Sequence, residues 1–131
     1  MRYLLDTHIL IWWIQENPRL TVEQKAAIDG ARKGQPLFVS NITLWEISTL
    51  VSLHRLKIGM PLRDWLQAAT AAPLVERCPS TPTIAAKLAE IPDSFHRDPA
   101  DRILVATAQV MKATLLTADK KIIASQLVDT L

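Results

Sequence analysis

The sequence predicts an α/β fold, a three-layer α/β/α sandwich around a central, mainly parallel sheet. Three observations lead there. Short apolar runs alternate with helical segments along the chain, the order of strands joined by helical crossovers. The connections are long enough to be helices, which places helices on both faces of the sheet. Acidic residues recur where strands hand over to helices, at the end where open parallel sheets bind ligands. A chain of 131 residues reads as a single domain spanning 1–131, large enough for a real core.

The elements follow in order. Residues 2–5 form a short buried strand. Thr7 to Gln15 is a helix carrying Trp12 and Trp13, ended by Asn17-Pro18. Thr21 to Lys33 is a helix opened by a Thr-x-x-Gln capping box, with Gly34 just beyond it. Residues 37–40 are a second strand. Thr43 to Leu56 is a long amphipathic helix stopped by Gly59 and Pro61. Leu62 to Ala71 is another helix, and Leu74 to Arg77 a strand. Thr81 caps a helix with Pro82 at its first position, running to about Glu90. After a loop from Pro92 to Arg97, Pro99 to Lys112 is a helix apolar on most sides and hence buried on more than one face. Thr114 to Thr117 is a strand, Lys120 to Ser125 a helix, and Leu127-Val128 a last short strand.

Composition narrows the function. The net charge of +2 carries no strong polyanion-binding signal. The single cysteine, Cys78, excludes an intrachain disulfide framework and fits a reducing cytoplasm. Asp6 and His8 break the N-terminal apolar run, and no small-residue cleavage site follows, so the run is not a signal peptide. No apolar stretch approaches the roughly 20 residues of a membrane span. The expectation is a cytoplasmic protein without a membrane partner.

Four acids stand out: Asp6, Glu46, Asp101 and Asp119. Each has a bland explanation. Asp98-Pro99-Ala100-Asp101 reads as an N-cap, a proline and an acid at the third position. Thr43-Leu44-Trp45-Glu46 matches a capping box, and Asp6 and Asp119 each suit the cap of the next helix. Two features favour chemistry. Asp101 shares a helix face with Leu104, Val105 and Ala108, and Glu46 lines up with Leu50 and Leu53. Inward-facing carboxylates need a partner. Coincident capping also explains two acids at one sheet end more easily than four. Asp98 is therefore assigned the cap and Asp101 the chemistry. Such a cluster suits Mg²⁺ or Mn²⁺, one ion or two, and a two-ion site hydrolyses phosphodiesters without a side-chain nucleophile.

Four segments now carry a resemblance: Leu4-Leu5-Asp6-Thr7-His8, Ser40-Asn41-Ile42-Thr43-Leu44-Trp45-Glu46-Ile47, His96-Arg97-Asp98-Pro99-Ala100-Asp101-Arg102, and Leu116-Thr117-Ala118-Asp119. In this order the chain resembles the PIN-domain ribonucleases, most closely the VapC-type toxins of toxin–antitoxin pairs. The resemblance implies a PIN-like three-layer fold and an acidic quartet of Asp6, Glu46, Asp101 and Asp119. It also implies Mg²⁺- or Mn²⁺-dependent endoribonuclease activity, a homodimer and a small antitoxin partner. Family members often carry Asn where this chain has His8, which is read as noncatalytic.

Thr7, Ser40 and Thr117 either orient the carboxylates by hydrogen bonds or cap locally. For RNA, the candidates are Arg55 and Lys57, with Lys57 on the Glu46 face of its helix, and Arg97 and Arg102 beside Asp101; the plain alternative is solvated charge. Adjacent Trp12 and Trp13 cannot both face one core, so one is expected at an interface with a dimer mate or antitoxin. A response-regulator reading fails for want of an acidic pair after the first strand and a lysine after a late one. An Asp-x-Asp phosphatase fails at Asp6-Thr7-His8. The surviving rival is a non-catalytic interaction module whose acids only cap helices.

Overall fold

A computed structural model describes residues 1–131. Four strands, β1 (Tyr3–Leu5), β2 (Leu37–Ser40), β3 (Val75–Cys78) and β4 (Thr114–Leu116), form one sheet in the order β3-β2-β1-β4. Every pairing is parallel, with Leu4 opposite both Phe38 and Leu115. Seven helices connect them: α1 (Thr7–Ile14), α2 (Val22–Asp29), α3 (Asn41–Ser52), α4 (Leu62–Ala69), α5 (Pro82–Leu88), α6 (Pro99–Met111) and α7 (Lys120–Ser125). The expected three-layer sandwich is the observed one.

The period of two along each strand sorts the core into two halves. Leu4 and Leu115 face one side, where they meet Ile84 of α5, Leu104 and Val105 of α6 and Ile122 of α7. Leu5, Leu37, Val39 and Leu116 face the other, against Ile9 of α1, Ile28 of α2, Ile47 of α3 and Trp65 of α4. The strands are short, but Leu4, Leu5, Leu115 and Leu116 are wholly inaccessible. Removing that apolar area from water is the main driving force for stacking the layers.

The structure corrects several boundaries. Helix α2 ends at Asp29 rather than Lys33. The chain then turns through an antiparallel bridge between Arg32 and Gln35, and Gly34 supplies the positive φ of 101° within it. Helix α3 starts two residues early, because Ser40 caps it by accepting a hydrogen bond from the Ile42 amide. It also ends at Ser52, well short of Leu56. His54 takes a left-handed φ of 58°, and the amides of His54 and Arg55 close back on the carbonyls of Val51 and Leu50. This is a Schellman end without glycine. Glu16 ends α1 in the same way. The expected strand at 127–128 is displaced. Leu127 and Val128 pack on the core, and the parallel bridge to Leu115 is made by Thr130. Contrary to the expectation that they cannot share one core, Trp12 and Trp13 both pack, partly buried, against the second core half, because each ring reaches it from its own edge of the α1 face; Trp45 is instead 73% exposed.

Helix α6 opens as expected. The Asp98 carboxylate accepts hydrogen bonds from the amides of Ala100 (2.9 Å) and Asp101 (3.4 Å), with Pro99 at the first position. Asp98→Ala should therefore cost about 1 kcal/mol, and Asp98→Asn only a few tenths. Urea denaturation of the two variants measures the difference; equal losses would show that the cap bonds do not stabilise α6.

Candidate active site

In the order β3-β2-β1-β4 the chain winds outward from β1 in one direction and returns on its other side with β4. The crevice between β1 and β4 is thus the topological switch point, where open α/β sheets place ligands. Asp6 follows β1 and Asp119 lies shortly after β4, so both stand at this crevice. The Asp6 amide bonds the Leu116 carbonyl at 2.9 Å, which extends the parallel ladder to the site.

Asp6 is only 7% exposed. Its Oδ1 accepts from the Thr7 amide at 2.6 Å and its Oδ2 from the Thr117 hydroxyl at 2.7 Å. Thr117 Oγ1 in turn accepts the Asp119 amide at 3.0 Å. A second hydroxyl chain serves Glu46. Thr7 Oγ1 donates to Glu46 Oε1 at 2.5 Å and lies 3.0 Å from Thr43 Oγ1. Because the Thr7 hydrogen is committed to Glu46, Thr43 is the donor in that second contact. Thr43 is fully buried inside α3 and does not cap it, so the capping-box reading of Thr43-x-x-Glu46 is replaced by Ser40.

Asp101 accepts no hydrogen bond. Its side chain is 13% exposed, and its Oδ2 lies 3.1 Å from His96 Nε2. That nitrogen is buried without a hydrogen-bond partner, so the contact is close but poorly aligned. Asp119 does cap α7, its Oδ1 accepting the amides of Lys121 (2.8 Å) and Ile122 (3.2 Å).

Burial and mutual repulsion shape the electrostatics. Burial raises the Asp6 carboxyl above its ordinary range, against the lowering effect of Thr117, the Thr7 amide and His8, and Asp119 adds to the rise. Burial likewise raises Glu46, with Asp6 and Asp98 adding repulsion and the Thr7 hydroxyl opposing it. Asp101 is pushed up to about 7, by burial first and then by Asp98, Asp6, Asp119 and Glu46. The four acids therefore feel one another across one crevice. As the side chains stand, no three ligating groups close on a common point. The donor set still fits a hard divalent cation: all are carboxylate oxygens, and Glu46 Oε2 and Asp101 carry no hydrogen bond that a rotation would break.

Of the hydroxyls expected to orient carboxylates, Thr7 and Thr117 do so, while Ser40 touches none and caps α3. His8 is exposed and tilted on the Trp12 ring. The basic candidates fare differently. Lys57 lies beyond the end of α3, so it shares no helix face with Glu46; it and Arg55 are exposed. Arg97 pairs loosely with Asp93 at 3.6 Å on the surface. Arg102 is not free for phosphate: its guanidinium donates to the carbonyls of Ile91, Pro92, Phe95 and His96. Two site residues escaped the sequence analysis. Thr43 reads as a cap in the sequence, and His96 stands inside a recognised segment, where no local pattern shows that the loop folds it back onto Asp101.

With this geometry in view, comparison with known proteins places the chain. The family model described as PIN domain matches residues 3–125, and the chain belongs to the PIN-domain family. Within it, the chain is similar to Ribonuclease VapC22 of Mycobacterium tuberculosis, at 35% identity over 119 residues, 91% of this chain and 88% of that protein. Its fold is shared with solved toxin–antitoxin proteins. VapBC2 from Rickettsia felis, bound to a promoter DNA fragment, matches with a TM-score of 0.74 at 18% identity, over 100% of this chain and 98% of that one. FitAcB from Neisseria gonorrhoeae matches with a TM-score of 0.70 at 23% identity, over 98% and 96%.

The raised carboxyls make the metal-free protein sensitive to pH. Each binds its proton more tightly folded than unfolded, so their contribution to stability is greatest at low pH and is lost as pH rises towards the folded value. For Asp101 the window runs from the ordinary 3.8 to about 7. In EDTA, the melting temperature of wild type relative to Asp101→Asn should fall across this window. Parallel profiles for the two proteins would show that Asp101 is not held in a repulsive, buried setting.

Proposed function

We propose that this protein is a VapC-type toxin, an endoribonuclease that hydrolyses RNA phosphodiester bonds with Mg²⁺ or Mn²⁺ held by Asp6, Glu46, Asp101 and Asp119. It acts in the cytoplasm as a homodimer and is silenced by a small antitoxin. The observation that carries this reading is the set of raised, mutually repelling carboxyls at the β1/β4 crevice. Carboxylates are held there at a cost in stability, as groups at functional sites commonly are. The similarity to Ribonuclease VapC22 supports RNA as substrate. The shared fold of VapBC2, FitAcB and a Klebsiella pneumoniae toxin–antitoxin complex supports an antitoxin partner. One of Trp12 and Trp13, neither fully buried, serves an interface with that antitoxin or the dimer mate.

Asp6 is the fixed ligand, since both of its oxygens are hydrogen-bonded and its rotamer is locked between Thr7 and Thr117. Glu46 is steered from one oxygen only, by the Thr7 hydroxyl. Asp101, with its carboxyl near 7, keeps much of its proton at neutral pH in the metal-free chain. A bound divalent ion supplies activation of water and neutralisation of charge on the phosphate. The threonine chains restrict how far the carboxylates can move, so less reorganisation is left to the reaction.

One observation favours the interaction module: Asp6, Asp98 and Asp119 all bond the amides that open the next helix. Glu46 and Asp101 cap nothing, and capping alone gives no reason to bury them.

The deciding experiment is RNA cleavage by antitoxin-free protein with Mg²⁺ or Mn²⁺ against EDTA. Asp6→Asn and Asp101→Asn should each lower the rate by at least about 100-fold, the scale of losing one charged stabilising group in an active site. Mn²⁺ should raise the wild-type melting temperature, because the ion binds the folded state, and should raise it less in Asp6→Asn. No cleavage together with no metal-induced stabilisation would return the four acids to helix capping.

A further inference from the structure

A cleft of about 410 Å³ opens beside the acids. One wall is the loop between α5 and α6, with Pro92, Phe95 and His96. The other is α7 and the turn after it, with Lys121, Ala124 and Leu127. Both walls lead back to the site. His96 Nε2 is 3.1 Å from Asp101 Oδ2, and α7 springs from Asp119. The volume lies within the range of small-ligand clefts.

The chemistry of the lining differs from that of the crevice. It contains no carboxylate. It offers apolar surface from Pro92, Ala124 and Leu127, the exposed Ser94, part of an imidazole ring and the Lys121 ammonium, which makes no ion pair. The loop wall is also rigidly built. The Arg102 guanidinium gathers the carbonyls of Ile91, Pro92, Phe95 and His96 from 3.0 to 3.4 Å, and the Phe95 and His96 rings meet edge to face at 4.5 Å. A half-buried arginine spent on four carbonyls of one loop holds that loop in a single shape. A preorganised wall lowers the entropy cost of binding.

The geometry points to a subsite for one nucleotide of single-stranded RNA next to the scissile phosphate. This rests on the nuclease reading above and specifies its substrate. An RNA strand reaching four carboxylates meets repulsion at its own phosphates. An adjacent acid-free cleft with one free cation is where it gains attraction. Single-stranded bases are held by stacking on aromatic and planar side chains and by polar groups at their edges. The His96 ring and Pro92 give the first, over a buried Phe95 that supports the loop from the core, and the exposed Ser94 gives the second. Lys121 at the α7 wall is placed for the backbone phosphate.

Filling the cleft tests this. Ala124 is exposed on α7 and lines the cleft, so Ala124→Phe narrows the cleft without altering any of the four carboxylate side chains. The probe is a fluorescein-labelled random-sequence RNA hexamer, with binding followed by anisotropy in EDTA so that cleavage is not needed. Ala124→Phe should bind about tenfold more weakly, the scale of losing one base-stacking contact. Lys121→Ala should weaken binding less and reduce its salt dependence. In the metal-loaded protein Ala124→Phe should raise KM for RNA with little change in kcat. Its Mn²⁺-induced rise in melting temperature should match wild type. If wild type cleaves RNA and Ala124→Phe binds and cleaves as well as wild type, the subsite is refuted and the nuclease reading stands. If wild type binds the hexamer, loses it in Ala124→Phe and cleaves nothing, the subsite stands and the nuclease reading falls. A wild type that does not bind the hexamer overturns the subsite outright.

Discussion

The parallel pairing of β1 with β4 is the constraint on which the rest of the molecule depends. It seats Leu4, Leu5, Leu115 and Leu116 at the centre of both core halves with no exposure at all. It also continues one bond past the strands, from the Asp6 amide to the Leu116 carbonyl. That bond draws Asp6 into the protein at the switch point and leaves its carboxylate almost without water. A charge so placed is costly unless hydrogen-bonded. The Thr7 amide, two residues beyond β1, and the Thr117 hydroxyl, one residue beyond β4, provide the bonds. Sheet topology and site electrostatics are therefore one fact seen at two scales.

Capping and chemistry divide among the acids by a simple rule of competition. Where another residue takes the cap, the acid is released. Ser40 caps α3 and frees Thr43 and Glu46 for a hydroxyl chain with Thr7. Asp98 caps α6 and frees Asp101. Asp6 and Asp119 cap and also stand at the crevice, each using one oxygen for the helix that follows. In Asp119 the capping bonds leave Oδ2 unengaged, and in Asp6 that oxygen is steered by Thr117. The bland explanation and the chemical one are not exclusive, because a carboxylate has more lone pairs than a cap consumes.

Arg102 shows how a residue's job can be set by distant chain. It follows Asp101 directly in sequence, and pairing with that acid or with phosphate is the obvious reading. In the fold it turns away and binds four carbonyls of the preceding loop, groups that have no strand or helix to satisfy them. The loop so fixed carries His96 to Asp101 and forms one wall of the neighbouring cleft.

By itself the sequence determined the alternation of strands and helices, the mainly apolar runs of β1, β2 and β4, the Asp98-Pro99 start of α6, the Thr21 capping box and the four acids as candidates. These are local signals: periodicity, capping chemistry and position relative to a strand end. It misjudged the end of α3, because the non-glycine left-handed residue His54 stops that helix without the usual marker, and the end of α2, where Gly30 closes the helix in a right-handed conformation. The last pairing strand was misplaced because a single bridge at Thr130 leaves no periodicity to read. Only the tertiary structure decided that β1 lies between β2 and β4, since strand order is a matter of long-range packing. That order brought Thr117 to Asp6 across 111 residues and Thr7 to Glu46 across 39. It also put His96 against Asp101 and took Lys57 off the helix of Glu46. Which acids repel one another, and which hydroxyls restrain them, depends on distances through space that no local pattern encodes.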